Sequence, residues 1–382
     1  MAASLYIVAG RTTDSVTHGL LPAAAVLGRE RGLETVLLTD RPAEHAKVWD
    51  GRVVACDVTD YREIIAAAGS RPAAVLTDSD RLQAPVALAA AYLDLPAKDW
   101  RAATRTRNRA LLRRHLAGLD PVFCADAWRV PPDAPYPLVL RPREGGGDAF
   151  RVRDAGELAA RREELNSRRG GALVVEEHLP GETYTLEPLG DGRELRVLGA
   201  FHARVAPPRF VVERLDWTPP PEGADQVLAQ LEALGVGLGA CHTEFVVHEG
   251  RARIVRIAHR LIGDRDGLLL ADLLGVPLFE QVVRVHLGER LPDPPPRTDR
   301  HAVADAVLTE RSGVLVAAPD RTEQETSGVR ISYRPRRVVG DRVDAGRADR
   351  DRLGTVRATG PSRAAVEAAV AAFRAAHTWK IA

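Results

Sequence analysis

The sequence predicts an α/β protein of several lobes, α+β in its central part, on three observations. Up to about residue 100, short apolar runs alternate with stretches of helical periodicity. A triple-glycine loop then lies between two apolar runs, and stretches suited to antiparallel pairing follow it. Behind a proline cluster at 292–296 come further strand-like runs and a closing helical stretch. The 382 residues allow two or three lobes, since domains usually run ~100–200 residues.

In chain order, residues 5–9 form the first apolar run, and Val16, Leu20, Leu21, Ala24 and Leu27 then recur at helical spacing. Residues 34–40 and 74–77 read as buried strands, and 82–93 as an alanine-rich helix. Strands alternating with helices imply an open parallel sheet with ligands near the carboxyl ends of its strands. Residues 1–100 therefore predict a Rossmann-like lobe. It lacks the G-x-G-x-x-G fingerprint, so no dinucleotide is expected there. One basic helix is expected over 101–116. Then come a strand (138–141), a glycine loop (142–148), a strand (149–152), a helix (154–166) and a strand (172–177). Antiparallel stretches follow at 183–186, 195–204 and 210–214, with a helix at 225–234. Residues 241–247 and 251–258 flank His248-Glu249-Gly250 as a hairpin. The prolines at 292–296 make a stiff linker. Strands at 303–308, 313–317 and 329–333 and a helix at 361–377 complete the chain.

Composition narrows the function classes. The 53 basic and 52 acidic residues are interspersed, with a formal charge of +1. Nucleic acid or an anionic membrane would call for a basic excess on one face. No segment approaches the ~20 uninterrupted apolar residues of a membrane span. The start, Met1-Ala-Ala-Ser-Leu-Tyr-Ile-Val8, lacks a charged leader and reads as the first strand, so a cytoplasmic protein is expected. Cys56, Cys124 and Cys241 are scattered and odd in number, which fits a reducing compartment and suggests no disulfide framework or metal cluster. Lys47, Lys98 and Lys380 are the lysines and the other fifty basic residues are arginines, a bias that bears on any site expected to use lysine.

Three motifs carry chemistry. In 136–152 a hydrophobic strand ends in Arg141 and Pro142, and a loop through Gly145, Gly146 and Gly147 leads into a second strand. Successive glycines let backbone N–H groups converge on phosphate oxygens where a Cβ would intrude. Further on, an apolar strand runs into Glu176 and Glu177 and then His178-Leu179-Pro180-Gly181. The third piece is Cys241-His-Thr-Glu-Phe245, followed by Arg253-Ile-Val-Arg-Ile-Ala-His-Arg-Leu-Ile-Gly-Asp264. In this order and spacing the three resemble the glycine loop, hinge and metal-binding strands of the ATP-grasp superfamily, closest to its amino-acid ligase and siderophore-synthetase branch.

The resemblance covers nearly the whole chain. It implies an N-terminal Rossmann-like domain (1–100), an ATP-grasp domain (101–290) with a small glycine-loop ATP lobe at about 120–178, and a C-terminal cap (297–382). It implies that ATP phosphorylates a carboxylate and that an amine then displaces phosphate from the acyl phosphate. The substrate would be a small amino acid or carboxylic acid, in a specialised-metabolite or siderophore-type pathway. Arg109 and Arg141 fall at two lysine positions of the family and, with the amides of Gly145, Gly146 and Gly147, would hold phosphates. Glu176, Glu177, His178 and Leu179 would face the nucleoside. Glu244 falls at the first metal-ligand position, with Asp264 as a second candidate. Arg260 would hold the carboxylate or the tetrahedral intermediate. His242 and His259 flank this site, and His259 is a candidate replacement ligand. The partners implied are small-molecule carboxylates and amines, with no nucleic acid and no membrane; a homodimer is admitted.

Arg256 and Ala258 depart from the pattern, standing where a glutamate and an asparagine belong. A cation replaces an anionic ligand and an oxygen donor is lost, so one Mg²⁺ at most is expected. Two readings stay open. In one, Arg256 itself neutralises the triphosphate as an arginine finger does, and turnover persists. In the other, the chain is a pseudo-ligase that binds nucleotide or a partner without turnover. Thr183 also replaces the acid usual before the hinge aromatic. Specificity is expected from the loop at 205–209 and around Trp217.

Overall fold

The computed structural model describes residues 3–146, 149–206, 210–263, 265–295, 298–345 and 352–382. Ser4–Val8, Glu34–Thr39, Arg52–Ala55 and Pro72–Leu76 form a parallel sheet in which Ser4–Val8 lies between the second and fourth strands. Ser4–Val8 is buried at every position, as a parallel strand covered on both faces should be. Helices Leu21–Arg31, Tyr61–Ala68 and Gln83–Tyr92 alternate with the strands. The expected alternation is present. Arg52–Ala55 and Tyr61–Ala68 were not foreseen, because the strand is a short, half-exposed edge.

The basic helix expected over 101–116 is two helices, Trp100–Arg107 and Arg109–Leu116. Asn108 between them is extended (φ −104°, ψ 109°), and its side chain accepts a hydrogen bond from the Leu111 amide. Such a cap contributes about 1 kcal/mol, so a break in the backbone is inexpensive there. Asn108 also forms an isolated antiparallel bridge with Glu144.

A small antiparallel sheet follows, in the order Cys124–Asp126, Leu173–Glu177, Leu138–Pro142 and Phe150–Val152. Helix Ala155–Arg169, capped by Asp154, packs on it. The largest sheet begins with Arg251–Ala258, His242–His248, Glu182–Asp191, Leu195–Ala206 and Val211–Thr218. It continues into the C-terminal strands His301–Val307, Gly354–Gly360, Val329–Pro335 and Thr322–Thr326. The joint is the antiparallel pair Arg214↔Asp305, Leu215↔Ala304 and Asp216↔Val303. Gly354–Gly360 is buried at all seven positions, although Thr355, Arg357 and Thr359 make it look polar in the sequence. Helix Arg363–Ala376, capped by Ser362, closes over these strands.

One apolar core holds the N-terminal lobe to the large sheet. Leu5, Ile7 and Leu37 from the first sheet, Phe201 and Leu215 from the large one, and Phe279 from helix Leu278–His286 belong to the same buried cluster. Close packing of this kind fixes the two sheets relative to one another. Trp217, expected near a specificity loop, lies instead edge-on to Phe201 at 5.5 Å and covers Gly199. Among the described residues no helix is long and apolar enough to cross a membrane.

Candidate active site

Glu176 is the buried centre of an arginine cluster. It ends an apolar strand, so its carboxylate is carried into the interior, where an unpaired charge would be prohibitive. Three arginines surround it. Arg113 Nε donates to Oε1 at 2.6 Å, while the Nε atoms of Arg141 and Arg109 stand 3.4 and 3.8 Å from Oε2. Burial pushes the Glu176 carboxyl up, but Arg113, Arg141 and Arg109 outweigh it and hold the group at about 2. The buried Nε atoms of Arg109 and Arg141 and Nη1 of Arg113 have no hydrogen-bond acceptor. Arg109, Arg113 and Arg141 themselves line a cavity, and guanidinium groups there are suited to an anionic ligand.

The break at Asn108 positions the glycine loop. The Gly145 amide donates to the Arg107 carbonyl at 3.3 Å, the Arg109 amide to the Arg143 carbonyl at 2.9 Å, and Asn108 Nδ2 to Glu144 Oε1 at 2.8 Å. Arg109 Nη1 reaches the carbonyls of Pro142 and Gly145 at 3.0 and 2.7 Å. Gly145 has φ +71°, a conformation that suits glycine. At Gly146 an added Cβ would stand 3.1 Å from Arg256 Nη2, so the loop passes directly over that guanidinium. Gly147 lies outside the described residues.

At the hinge, Glu177 is already engaged. Its Oε2 accepts from the Phe123 amide at 2.9 Å and Oε1 from Arg253 Nη1 at 2.9 Å. The amides of Glu177 and His178 donate to the carbonyls of Phe123 and Pro137. The His178 imidazole lies 5.9 Å from the Phe210 ring, and burial, then Arg151 and Arg141, lower its pKa. Leu179 lines the same cavity.

The two metal-type strands carry three members of a chain of four charged groups, and Glu187 on strand Glu182–Asp191 is the fourth. Glu244 and Arg256 are register partners, with Arg256 Nη1 donating to Glu244 Oε1 at 3.0 Å. His242 Nε2 stands 3.6 Å from the same oxygen, and its Nδ1 lies 2.7 Å from Glu187 Oε1. Burial opposes the charged imidazole, but Glu187 and Glu244 overcome it and raise His242 to about 9. Burial likewise opposes the Glu244 carboxylate, and Arg256 and His242 outweigh it and hold the group far below its ordinary range. Ala258, the partner of His242 in the pairing, has no oxygen to offer a metal. His259 is 1 % exposed, with Nε2 3.2 Å from the Leu238 carbonyl, and lines neither cavity described below. Burial and Lys98 hold its imidazole neutral. It is structural, not a replacement ligand.

These elements enclose two cavities. The first, of about 620 Å³, runs from Glu177, His178 and Leu179 under the glycine loop to Glu244 and Arg256. Its size is that of an ordinary small-molecule pocket. The second, of about 1150 Å³, lies between the glycine loop and the carboxyl ends of Ser4–Val8 and Pro72–Leu76. Gly146, Arg260, Gly263 and Arg336 line both. Arg260 donates to the Leu261 carbonyl and faces Asp78 of the N-terminal lobe; burial raises the Asp78 carboxyl, with Arg260 and a Ser15 hydrogen bond opposing. Lys98 braces this junction from behind, donating to Gln83 Oε1 at 2.8 Å and the His259 carbonyl at 2.5 Å.

Arg109, Arg141, Gly146, Glu176, Glu177, His178, Leu179, Glu244, Arg256 and Arg260 thus meet around one cavity, with Gly145 on the neighbouring one. Asp264 lies outside the described residues. Sequence reasoning missed Arg113, which recurs one helical turn after Arg109, and also Arg336, Arg352 and Arg357. The last three come from the C-terminal strands and have no local signal. The donor set does not suit a divalent cation. Among the described residues, the four carboxylates lining the smaller cavity each face an arginine: Glu176 as above, Glu177 with Arg253, Glu244 with Arg256, and Asp266 with Arg357 at 2.6 Å. No group of three or more His, Cys, Asp or Glu side chains able to hold a metal is present among the described residues.

No known family model matches the chain. A curated protein of Sinorhizobium fredii (strain NBRC 101917 / NGR234), described only as uncharacterized protein y4rH, is 27% identical over 338 residues, 81% of this chain and 68% of its own. Among solved structures, the L-amino acid ligase of Bacillus licheniformis superposes with a TM-score of 0.78 at 18% identity, over 100% of this chain and 99% of its own. The biotin carboxylase domain of the Hydrogenobacter thermophilus 2-oxoglutarate carboxylase, solved with MgADP, ADP and bicarbonate, has a TM-score of 0.69 at 17% identity. That match covers 100% of this chain and 91% of the domain.

Proposed function

We propose, from the premise that this chain has the ATP-grasp fold, that it is an ATP-dependent ligase joining a small-molecule carboxylate to an amine. The observation that carries this reading is the meeting of the two cavities at Arg260, with Gly146, Gly263 and Arg336 beside it. A nucleotide in the smaller cavity would place its terminal phosphate at that junction, against an acceptor held in the larger one.

At the hinge, the amides of Glu177 and His178 are taken by neighbouring carbonyls, which leaves the Leu179 amide as the donor for an adenine edge. Glu176 positions Arg109, Arg113 and Arg141, whose guanidinium groups line the cavity and suit phosphate oxygens. A carboxylate oxygen attacks the γ-phosphorus, and the bond to the β,γ-bridging oxygen breaks with ADP taking the electron pair. The amine nitrogen then adds to the acyl carbon. Phosphate departs with the C–O pair, and the surplus amine proton goes to phosphate or solvent. Arg260 neutralises charge on the acyl phosphate and the tetrahedral intermediate, the function a preorganised cation performs best in a water-poor site. In-line placement supplies the remaining acceleration.

The larger cavity carries both signs of charge, with Arg11, Arg81 and Arg107 near Asp14, Asp78 and Asp80. A small zwitterion such as an amino acid suits such a lining, and the likeness to an L-amino acid ligase supports that substrate class. We place the reaction in a specialised-metabolite or siderophore-type pathway, and the free cysteines fit a reducing, cytoplasmic setting.

The test is ADP release with ATP and panels of carboxylates and amines, read together with the mass of the product. Release that requires both partners, with a product at the condensed mass, is expected. ADP binding without release from any pair would instead support the non-catalytic reading, which the Arg256–Glu244 ion pair favours.

A further inference from the structure

We propose that this cleft binds the nucleotide polyphosphate as the free anion, without a divalent cation, and that Arg256 supplies the counter-charge. The inference rests on the nucleotide reading above and goes beyond it in assigning the ionic form of the ligand.

The argument is one of charge and donor chemistry. Mg²⁺ in nucleotide sites is held by one or two carboxylates together with phosphate oxygens. Here the carboxylate best placed for it, Glu244, is bonded to Arg256 at 3.0 Å and faces the His242 imidazole at 3.6 Å. A cation entering there must displace the Arg256 guanidinium from that carboxylate. The other three carboxylates of the cavity lie in ion pairs with Arg113, Arg253 and Arg357. Among the described residues nine arginines and four carboxylates line this cavity. A wall so rich in guanidinium groups favours a ligand carrying its full negative charge, whereas a bound Mg²⁺ would remove two of those charges.

Position agrees with charge. Arg256 lies beneath Gly146, the loop residue over which phosphates would pass, and a Cβ at Gly146 would come within 3.1 Å of its Nη2. Arg109 and Arg141 line the same cavity. A polyphosphate in that cavity thus meets the guanidinium groups of all three arginines. Planar guanidinium can take two phosphate oxygens at once, which a lysine cannot.

Calorimetric titration of the full-length protein with ADP and with a non-hydrolysable ATP analogue, in EDTA and then in excess Mg²⁺, tests this. The Kd in EDTA is expected to equal or undercut that in Mg²⁺; binding weaker in EDTA by more than about threefold overturns the proposal. No binding in either condition overturns the nucleotide reading and this inference with it, whereas Mg²⁺-dependent binding overturns this inference alone. The double substitution Arg256→Glu with Ala258→Asn, checked for folding by circular dichroism, is expected to weaken binding in EDTA by about tenfold or more and to make it Mg²⁺-dependent. A folded double variant that still binds like wild type in EDTA removes Arg256 from the role and overturns the proposal.

Discussion

Arg256 and Glu244 face one another across adjacent antiparallel strands, the arginine Nη1 donating to the glutamate Oε1 at 3.0 Å. The pair turns a position that resembles a metal-binding strand into an internal salt bridge at the phosphate end of the cavity. Glu187 and, more weakly, Glu244 are the carboxylates that hold the charge of His242.

Removing that carboxylate should strengthen nucleotide binding. In Glu244→Ala the Arg256 guanidinium loses the Glu244 carboxylate while His242 keeps Glu187, so the phosphate side of the cavity gains net positive charge. An affinity gain for ADP of about 1 kcal/mol, roughly fivefold, is expected at low salt. Calorimetry reads it. A loss of ADP affinity confined to Mg²⁺-containing buffer would instead mark Glu244 as a metal ligand.

Glu176 supports the arginine cluster, so Glu176→Gln should destabilise the fold by about 3–5 kcal/mol, the usual consequence of breaking a buried ion pair on one side. The pH dependence has a definite sign. Its folded pKa of about 2 lies below the ordinary 4.5, so its contribution is complete above 4.5 and fades as pH falls toward 2. Urea unfolding across that window should show a steeper acid limb for wild type than for Glu176→Gln. Parallel limbs would contradict the cluster's energetic role.

His242 acts at the other end of the scale. Its pKa is raised from 6.5 to about 9, so the stability from its pairing with Glu187 and Glu244 is fully present below 6.5 and is lost as pH rises toward 9. Unfolding free energy should fall across that interval in wild type and stay flatter in His242→Gln. Imidazole chemical shifts should titrate near the upper value; a midpoint close to 6.5 would refute the network.

Asn108 couples the helix break to the loop. Asn108→Ala removes the cap on Leu111 and the bond to Glu144, at a cost of about 1 kcal/mol in thermal unfolding. ADP affinity should fall with it, because the loop loses one of its anchors. Unchanged affinity beside the stability loss would show that the bridge is dispensable to the loop.

Arg260→Lys separates binding from chemistry. Lysine keeps the charge but not the planar fork, so turnover should drop by about a hundredfold while ADP affinity changes little. Steady-state kinetics with the best substrate pair, set beside ADP titration, decides it. A parallel loss in both would place Arg260 on the nucleotide instead of the acyl group.

Much of this protein could be read from its sequence alone, because periodicity and turn chemistry are local. The alternating N-terminal lobe, the strand–glycine loop–strand unit, the acidic hinge and the hairpin at 241–258 all have signals within a dozen or so residues. So did the oddity of Arg256 and Ala258. The tertiary structure decided what those residues do to one another. Register put Arg256 opposite Glu244, and packing brought Arg113 to Glu176 across 63 positions of chain. The C-terminal strands delivered Arg336, Arg352 and Arg357 to a cavity begun more than two hundred residues earlier. The break at Asn108 answers to Glu144 on another element, and Gly354–Gly360 is central although it looks polar, because burial there is set by its neighbours. Charges find their partners only in three dimensions, and strand register is what sets Arg256 against Glu244.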